Sequence, residues 1–147
     1  MAGSSGADLD DVIARYHQGL DAFMKGDHQR VKTLFSERDD VTLGNPFGPF
    51  ARGFDEVVDT MARAAAHDRD GEAVGFDRIS TYGGDDLVCI VEVERLRSKV
   101  GDNDDLSSLS LRVTTVFRSE DGGWRIAHRH ADPISGPQPA ESVLSPR

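Results

Sequence analysis

The side chains best suited to chemistry are concentrated near the end of the sequence, in the run His128-Arg129-His130-Ala131-Asp132. This run continues a strand-like segment that begins near Trp124. Regular strand alternation predicts two faces. One face carries Trp124, Ile126, His128, His130 and Asp132, and the other carries Arg125, Ala127, Arg129 and Ala131.

Three interpretations of the two histidines are open. On a strand, His128 and His130 lie about 6–7 Å apart at the backbone, close enough to share a metal. With Asp132 they could instead form an acid/base pair whose pKa is tuned by burial and by the carboxylate. They could also pack at a subunit interface or bind neighbouring strands. No other His or Cys has metal-ligand spacing, so we expect no metal and take His128, His130 and Asp132 as candidate catalytic residues.

A second set of charged residues lies on successive predicted strands and comprises Glu92, Glu94, Arg95, Arg97, Arg112, Arg118 and Arg129. A solvated ladder on an outer sheet face is one interpretation, because opposite charges on adjacent strands stabilise a sheet by roughly 0.2–1 kcal/mol per pair. Alternatively, an arginine points into the interior and binds a carbonyl or an anion through paired hydrogen bonds. Arg112 and Arg129 are the candidates for that role.

Composition excludes several classes of function. The 147 residues carry 17 Lys+Arg against 26 Asp+Glu, a net charge of −9, which argues against a nucleic-acid partner. No apolar run is long enough to span a membrane, and the N-terminus lacks the features of a secretory signal. The single cysteine, Cys89, fits a reducing compartment. We therefore expect a cytoplasmic protein without membrane or nucleic-acid partners.

Hydrophobic periodicity divides the chain into helices followed by strands. The pattern predicts a helix from about residue 8 to Gly26, with Asp8 as its N-cap, and further helices at 27–35 and 54–67. A short strand at 41–43 precedes an irregular Gly/Pro segment, 44–49. The later strands are predicted at 73–82, 87–97, 107–118 and 124–131.

This order indicates an α+β fold with an antiparallel sheet, since helices and strands are segregated along the chain. Residues 1–7 are small and predict a flexible N-terminus, and residues 8–132 form a single domain. The tail, 133–147, holds four of the six prolines and predicts an irregular or disordered extension. No glycine-rich loop joins a strand to a helix, so we expect no nucleotide and no other cofactor.

Three segments resemble the nuclear transport factor 2-like superfamily, and within it the SnoaL-like and ketosteroid-isomerase-like proteins. Ala14-Arg15-Tyr16 resembles the helix that carries the oxyanion-hole tyrosine of ketosteroid isomerases. The run from Asp40 to Gly48, followed by Arg52-Gly53, is similar to their first strand and the turn after it. Arg112 to Arg118 and Gly122 to His130 resemble the last hairpin of many SnoaL-like proteins.

The resemblance implies a cystatin-like cone, in which a conical, curved antiparallel sheet wraps around the N-terminal helices and encloses a pocket. It also implies a homodimer formed through the outer face of the sheet. The family's catalytic Asp falls at Asn45, which cannot accept a proton. Its second acid falls near Thr114 or Thr115, and residues 106–118 contain no acid. Steroid isomerisation is therefore not expected.

The remaining family position is Tyr16, which is either an oxyanion donor or a core tyrosine; Asn45 is either a ligand contact or a turn residue before proline. We expect a cofactor-independent acid/base enzyme of the isomerase, cyclase or hydratase/dehydratase type, acting on a small hydrophobic carbonyl-bearing molecule. The alternative is a non-catalytic dimeric module that binds a ligand or assembles. The candidate ligand-binding residues are Tyr16, Asn45, Phe47, Arg112, Thr115 and Arg129.

Overall fold

The computed structural model describes residues 6–134 and 136–145. In chain order, the elements are α1 (Gly6–Phe23), α2 (Gln29–Lys32), β1 (Thr42–Gly44), β2 (Ala51–Arg52), α3 (Phe54–Ala65), β3 (Asp68–Gly83), β4 (Leu87–Val100), β5 (Ser107–Glu120), β6 (Gly123–Pro133) and a 3-10 helix, Ala140–Val143. None of the helices in the described ranges is long and apolar enough to cross a membrane.

Helix α1 confirms the periodicity of its sequence. The predicted apolar stripe is buried at Leu9, Val12, Ile13, Tyr16, Leu20 and Met24. The helix begins at Gly6, so Asp8 lies in its first turn rather than at its N-cap, and residues 6–7 belong to the helix rather than to a flexible lead. Gly26 has a φ of 93° and closes the following turn, a conformation that glycine adopts without strain.

Helix α2 is shorter than predicted, with four residues in place of the span 27–35. The chain leaves the helix because Phe35 forms an isolated parallel bridge with Ile126 of β6. Ser36 N–H donates to the Ile126 carbonyl, and Ile126 N–H donates to the Leu34 carbonyl. A tertiary contact therefore overrides the helical pattern of residues 33–35.

The strands form one six-stranded sheet in the order β2-β1-β6-β5-β4-β3. The predicted antiparallel pairing holds except between β1 and β6, which run parallel. Strand β3 begins at Asp68, five residues before the predicted start, and β6 continues to Pro133. Strand β2 has two residues, too few to produce a pattern in the sequence.

The sheet is curved and open. Register shifts interrupt β3 between Arg69 and Glu72, between Ala73 and Gly75, and between Arg78 and Ser80, and bulges of this kind bend a strand and increase its twist. We call the face that packs against α1 the inner face and the opposite one the outer face. The core lies between the inner face and the helices, with Tyr16, Phe35, Ile90, Phe117 and Ile126 fully buried. This arrangement is the predicted cone.

One bulge in β6 decides which side chains face the core. Phe117 pairs with Ile126, but Val116 pairs with His128, so Ala127 is an extra residue. The bulge shifts the alternation by one position. Trp124 and Ile126 are buried on the inner face, and beyond the bulge Ala131 is buried there. The prediction that His128, His130 and Asp132 share a face with Trp124 and Ile126 is therefore wrong.

The predicted terminal extensions are only partly described. Residues 1–5 of the N-terminal lead and residues 135 and 146–147 of the tail lie outside the described residues. Within the tail, Pro133 ends β6, and residues 140–143 form the 3-10 helix. The other described tail residues have no regular structure.

Candidate functional site

A largely apolar cavity of about 270 Å³ lies on the inner face, between the helices and strands β4 to β6. Its apolar walls include Leu20, Met61, Leu96, Leu111 and Ala131. Among the described residues, its polar lining consists of Asn45, Asp68 and Arg129. An apolar pocket with a few polar groups is the usual form of a small-molecule site.

Arg129 reaches the cavity because of the bulge in β6, which turns its side chain to the inner face. Its NH1 and NH2 atoms donate to Glu94 Oε2 and Oε1 at 2.7 and 2.9 Å. NH1 also donates to the hydroxyl of Tyr16, which lies 3.0 Å from Thr115 Oγ1. Tyr16, Glu94 and Thr115 are fully buried. Although burial opposes its charge, the carboxylate of Glu94 and the Tyr16 oxygen raise the pKa of Arg129.

The solvated ladder that was one interpretation of the charged set is present only in part. Arg95 and Arg97 form exposed ion pairs with Asp77 and Glu72, whereas the two acids of the set are buried. Glu92 and Glu94 both lie on the inner face, 3 % and 0 % exposed. Glu92 lies 2.8 Å from His17 Nε2 and accepts a 3.0 Å hydrogen bond from Arg78 Nε. Burial alone would raise the pKa of Glu92, but the contacts with His17 and Arg78 outweigh it and lower that pKa. Arg112, by contrast, is on the outer face with 71 % of its side chain exposed.

Asp68 is the acidic side chain of the cavity lining, and the sequence analysis did not identify it. It is the first residue of β3, follows helix α3 closely, and is 8 % exposed. Burial raises the pKa of its carboxyl group, and the Ser98 hydroxyl and the His67 ring offset this effect only in part. No Lys or Arg of the described chain forms an ion pair with it. A buried carboxyl group with these neighbours is suited to accept and return a proton.

Asn45 and Phe47 lie at the cavity in the turn after β1. The side-chain oxygen of Asn45 accepts a 2.9 Å hydrogen bond from Phe47 N–H, so Asn45 is a turn residue and a cavity-lining residue at once. Its amide NH₂ group supplies donors of the kind that a carbonyl oxygen needs. Phe47 remains 65 % exposed and its ring lies 5.7 Å from that of His67.

Tyr16 and Thr115 do not line the cavity but support Arg129 from behind. Burial raises the pKa of Tyr16, with Glu94 adding to this effect and Arg129 opposing it. The tyrosine therefore stays neutral and holds both the guanidinium and the threonine hydroxyl in place. This position fits the core interpretation of Tyr16 more closely than contact with a ligand.

The predicted catalytic residues lie together on the outer face. His130 Nε2 is 3.2 Å from Asp132 Oδ2, and His128 Nδ1 is 2.7 Å from Thr42 Oγ1. The rings of His128 and His130 are 6.5 Å apart, and Phe50 lies beside both. Gly44 permits this arrangement, since a Cβ there would meet the Phe50 ring at 2.5 Å. Burial and the charge of His130 lower the pKa of His128.

The structure therefore separates the two groups of predicted site residues. Asn45, Phe47 and Arg129 lie at the cavity, whereas the three catalytic candidates and Arg112 do not line it. Within the described part of the chain, no group of three His, Cys, Asp or Glu side chains is arranged to hold a metal ion. The His-x-His pair thus lacks a third protein ligand there.

Two further clefts are more polar. One, of about 260 Å³, lies on the other side of the turn after β1 and includes Glu56, Arg63 and His67. The other, of about 450 Å³, lies between the start of α1 and the β5–β6 hairpin and includes Arg15, Trp124 and Arg125. Neither contains Asp68 or Arg129.

The family is settled by a match over most of the described domain. The model of the SnoaL-like domain family matches residues 11–134. The chain belongs to the SnoaL-like domain family. No curated protein matches this chain significantly in sequence.

Solved structures of SnoaL-like and related proteins share its fold at low identity. A proposed dehydratase of the NTF2-like family from Streptomyces avermitilis is 19 % identical with a TM-score of 0.71, over 88 % of this chain and 97 % of that one. A ketosteroid isomerase-like protein from Erwinia carotovora atroseptica is 18 % identical with a TM-score of 0.71, over 88 % and 95 %. A proposed scytalone dehydratase from Novosphingobium aromaticivorans is 15 % identical with a TM-score of 0.69, over 88 % and 83 %.

Of the polar residues at or behind the cavity, sequence reasoning missed Asp68 and left open which face Glu94 occupies. Asp68 lies before the strand predicted at 73–82, because Asp70 and Gly71 interrupt the strand pattern in the sequence there. The signal for Glu94 was the alternation along β4, in which every second residue is buried. The buried positions include Val88, Ile90, Glu92, Glu94 and Leu96. Apolar residues at Cys89, Val91 and Val93 obscured that signal.

Proposed function

We propose that this SnoaL-like protein is a cofactor-independent acid/base enzyme of the isomerase, cyclase or hydratase/dehydratase type. Its substrate is a small hydrophobic molecule with a carbonyl group, bound in the inner-face cavity. The observation that carries the proposal is the buried carboxyl of Asp68 at an apolar cavity that also contains Arg129 and Asn45. The dehydratase names of two structural relatives agree with this class of reaction.

In the proposed reaction, the Asp68 carboxylate takes a proton from the carbon next to the carbonyl. The electron pair of that C–H bond moves to the carbonyl oxygen, forming an enolate. N–H groups of Asn45 and Arg129 stabilise the developing negative charge, which is worth most where water is excluded. In an isomerisation the proton returns to another carbon. In a dehydration the enolate re-forms its carbonyl and a new C=C bond while the C–O bond at the β-carbon breaks, and the departing hydroxide takes the proton from Asp68 and leaves as water.

The geometry favours Asp68 over the histidines for proton transfer. His130 and Asp132 are adjacent and chemically competent, but they lie on the outer face and do not line the cavity. A proton acceptor must come within hydrogen-bond reach of the proton it removes. Proton transfer by His128, His130 and Asp132 is therefore the competing hypothesis, and variants of Asp68 and of the histidines distinguish the two.

A substrate of known identity is not needed for the first test. In D₂O, an active base exchanges the α-hydrogens of a flat bicyclic ketone such as 2-tetralone for deuterium, and ¹H NMR follows the loss of signal. The proposal predicts saturable exchange above the buffer rate with the native protein. Exchange at the buffer rate over a series of such ketones contradicts it.

The outer face supports a second part of the proposal, a homodimer. Cys89, Val91, Val93 and Val116 are partly exposed there, beside Thr114 and the two histidines. A second copy that covers this apolar band would remove it from water. This is also the surface that a non-catalytic assembly module would use, so dimerisation is compatible with both functions.

The single cysteine fits a reducing compartment, and the proposal places the protein in the cytoplasm.

A further inference from the structure

The charges around the cavity determine which ligands it accepts, and this inference rests on the cavity being the site of the proposed function. Arg129 and Asp68 are the charged residues among its described lining. An arginine that faces an apolar cavity ordinarily indicates a site for a carboxylate or phosphate. The arrangement behind Arg129 changes that expectation.

Glu94 already binds the NH1–NH2 edge of Arg129, one of the two paired-donor edges through which an arginine can hold an anion. Its two carboxylate oxygens accept from NH1 and NH2 at 2.7 and 2.9 Å, and the side chain of Glu94 is fully buried. NH1 also donates to Tyr16. The NH1–NH2 edge of the guanidinium is therefore satisfied inside the protein, and the positive charge of Arg129 is balanced by the adjacent carboxylate of Glu94.

The other charged group at the cavity, Asp68, does not favour an anionic ligand. Asp68 contributes a negative charge whenever it is ionised, and no Lys or Arg in the described ranges forms an ion pair with it. Tyr16, the remaining titratable member of the Arg129 cluster, is a fully buried phenol. An anionic ligand would thus meet a neutral Arg129–Glu94 pair and a repelling carboxylate in an apolar chamber.

We propose that the cavity selects uncharged carbonyl compounds and excludes carboxylates of the same shape, and that Glu94 is the residue that sets this selectivity. Glu94 does so without touching the ligand, because it neutralises Arg129 from the side away from the cavity. Arg129 can still offer a donor to a neutral carbonyl oxygen, which needs no compensating charge.

A matched pair of probes tests the proposal in the native protein. The ketone 2-acetonaphthone and the anion 2-naphthoate share one ring system and differ in charge. At pH 8, isothermal titration should show that the ketone binds at least roughly 30-fold more tightly than the carboxylate, the penalty expected for an uncompensated buried charge. Equal binding, tighter binding of the carboxylate, or binding of neither probe overturns the proposal.

Variants then assign the selectivity to Glu94. Glu94→Gln keeps the shape of the side chain and removes its charge, so it should reduce the preference for the ketone at least about tenfold by making Arg129 available to naphthoate. The double variant Glu94→Gln/Arg129→Gln is neutral again and should restore the preference. If Glu94→Gln still prefers the ketone as strongly as the native protein does, Glu94 does not set the selectivity. If Glu94→Gln does not fold, loss of the ketone preference in the double variant contradicts the role of Glu94 instead.

The proposed function fails separately from this inference. Absence of α-hydrogen exchange removes the catalytic role of Asp68, but it leaves the ketone preference intact. Tight binding of naphthoate by a protein that still exchanges 2-tetralone hydrogens overturns the selectivity and leaves the catalytic proposal standing.

Discussion

Arg129 holds Glu94 through two parallel N–H···O bonds of 2.7 and 2.9 Å, and this pair lies on β6 and β4, two strands apart in the sheet. Strand β5 between them contributes Thr115, and helix α1 contributes Tyr16. The pair therefore connects three strands and the main helix at the wall of the cavity. Its removal should affect both stability and ligand choice.

Removing one charge of the pair should lower the free energy of unfolding much more than replacing both residues with apolar ones. Glu94→Gln leaves Arg129 buried without its counter-charge, and we expect a loss of about 3–5 kcal/mol in the free energy of unfolding. The double variant Glu94→Leu/Arg129→Met removes both charges and should lose less than Glu94→Gln alone. Urea unfolding followed by circular dichroism measures both. Equal losses in the two variants would show that the two charges are not coupled.

Tyr16→Phe separates the two interpretations of that tyrosine. The change removes a hydroxyl that bonds Thr115 and Arg129, so we expect a loss of about 1–3 kcal/mol of stability. Because Tyr16 does not line the cavity, the rate of 2-tetralone exchange should change by less than about tenfold, below the usual effect of losing an oxyanion donor. A loss of 100-fold or more in a folded variant would restore the oxyanion interpretation.

The free energy of unfolding should depend on pH through the ionisation of Asp68. Burial raises the pKa of this group, so the folded protein binds its proton more tightly than the unfolded chain does. The contribution of Asp68 is therefore most favourable at low pH and is lost as pH rises through the raised pKa. Asp68→Asn should be at least as stable as the native protein at neutral pH, with the difference shrinking toward low pH. Urea midpoints measured from pH 4 to 8 check this, and a native protein more stable than Asp68→Asn at neutral pH would contradict it.

The outer face should be the dimer contact. Val91 pairs with Thr114, which in turn pairs with His130, so a charge at this position lies in the centre of the partly exposed apolar band. Val91→Glu should convert a dimer into a monomer, as measured by light scattering after size-exclusion chromatography. Thr81→Glu, on the exposed edge strand β3, is the matched control and should leave the dimer intact. A native monomer would contradict the proposal.

The fold was predictable from the sequence because its main patterns are local. The buried stripe of α1, from Leu9 to Met24, and the segregation of helices from strands are properties of periodicity and order. The resemblance of the last hairpin to SnoaL-like proteins then indicated the family that the match over residues 11–134 confirms.

The site was less predictable because it depends on one bulge and on distant contacts. Ala127 as an extra residue reverses the faces of β6, and nothing in the surrounding sequence marks it. Arg129 and Glu94 are 35 residues apart, so their pairing is visible only when β6, β5 and β4 are aligned. Asp68 enters the site because β3 begins earlier than its apolar pattern does.

The most direct test of Asp68 as the base compares two variants in the 2-tetralone exchange assay. Asp68→Asn removes the proposed base and nearly preserves its shape, whereas His130→Ala removes the competing candidate on the outer face. We predict that the exchange rate of Asp68→Asn falls at least about 100-fold toward the buffer rate, while folded His130→Ala keeps the native exchange rate. Unchanged exchange in folded Asp68→Asn, or loss of exchange in folded His130→Ala, would contradict the assignment of Asp68 as the base.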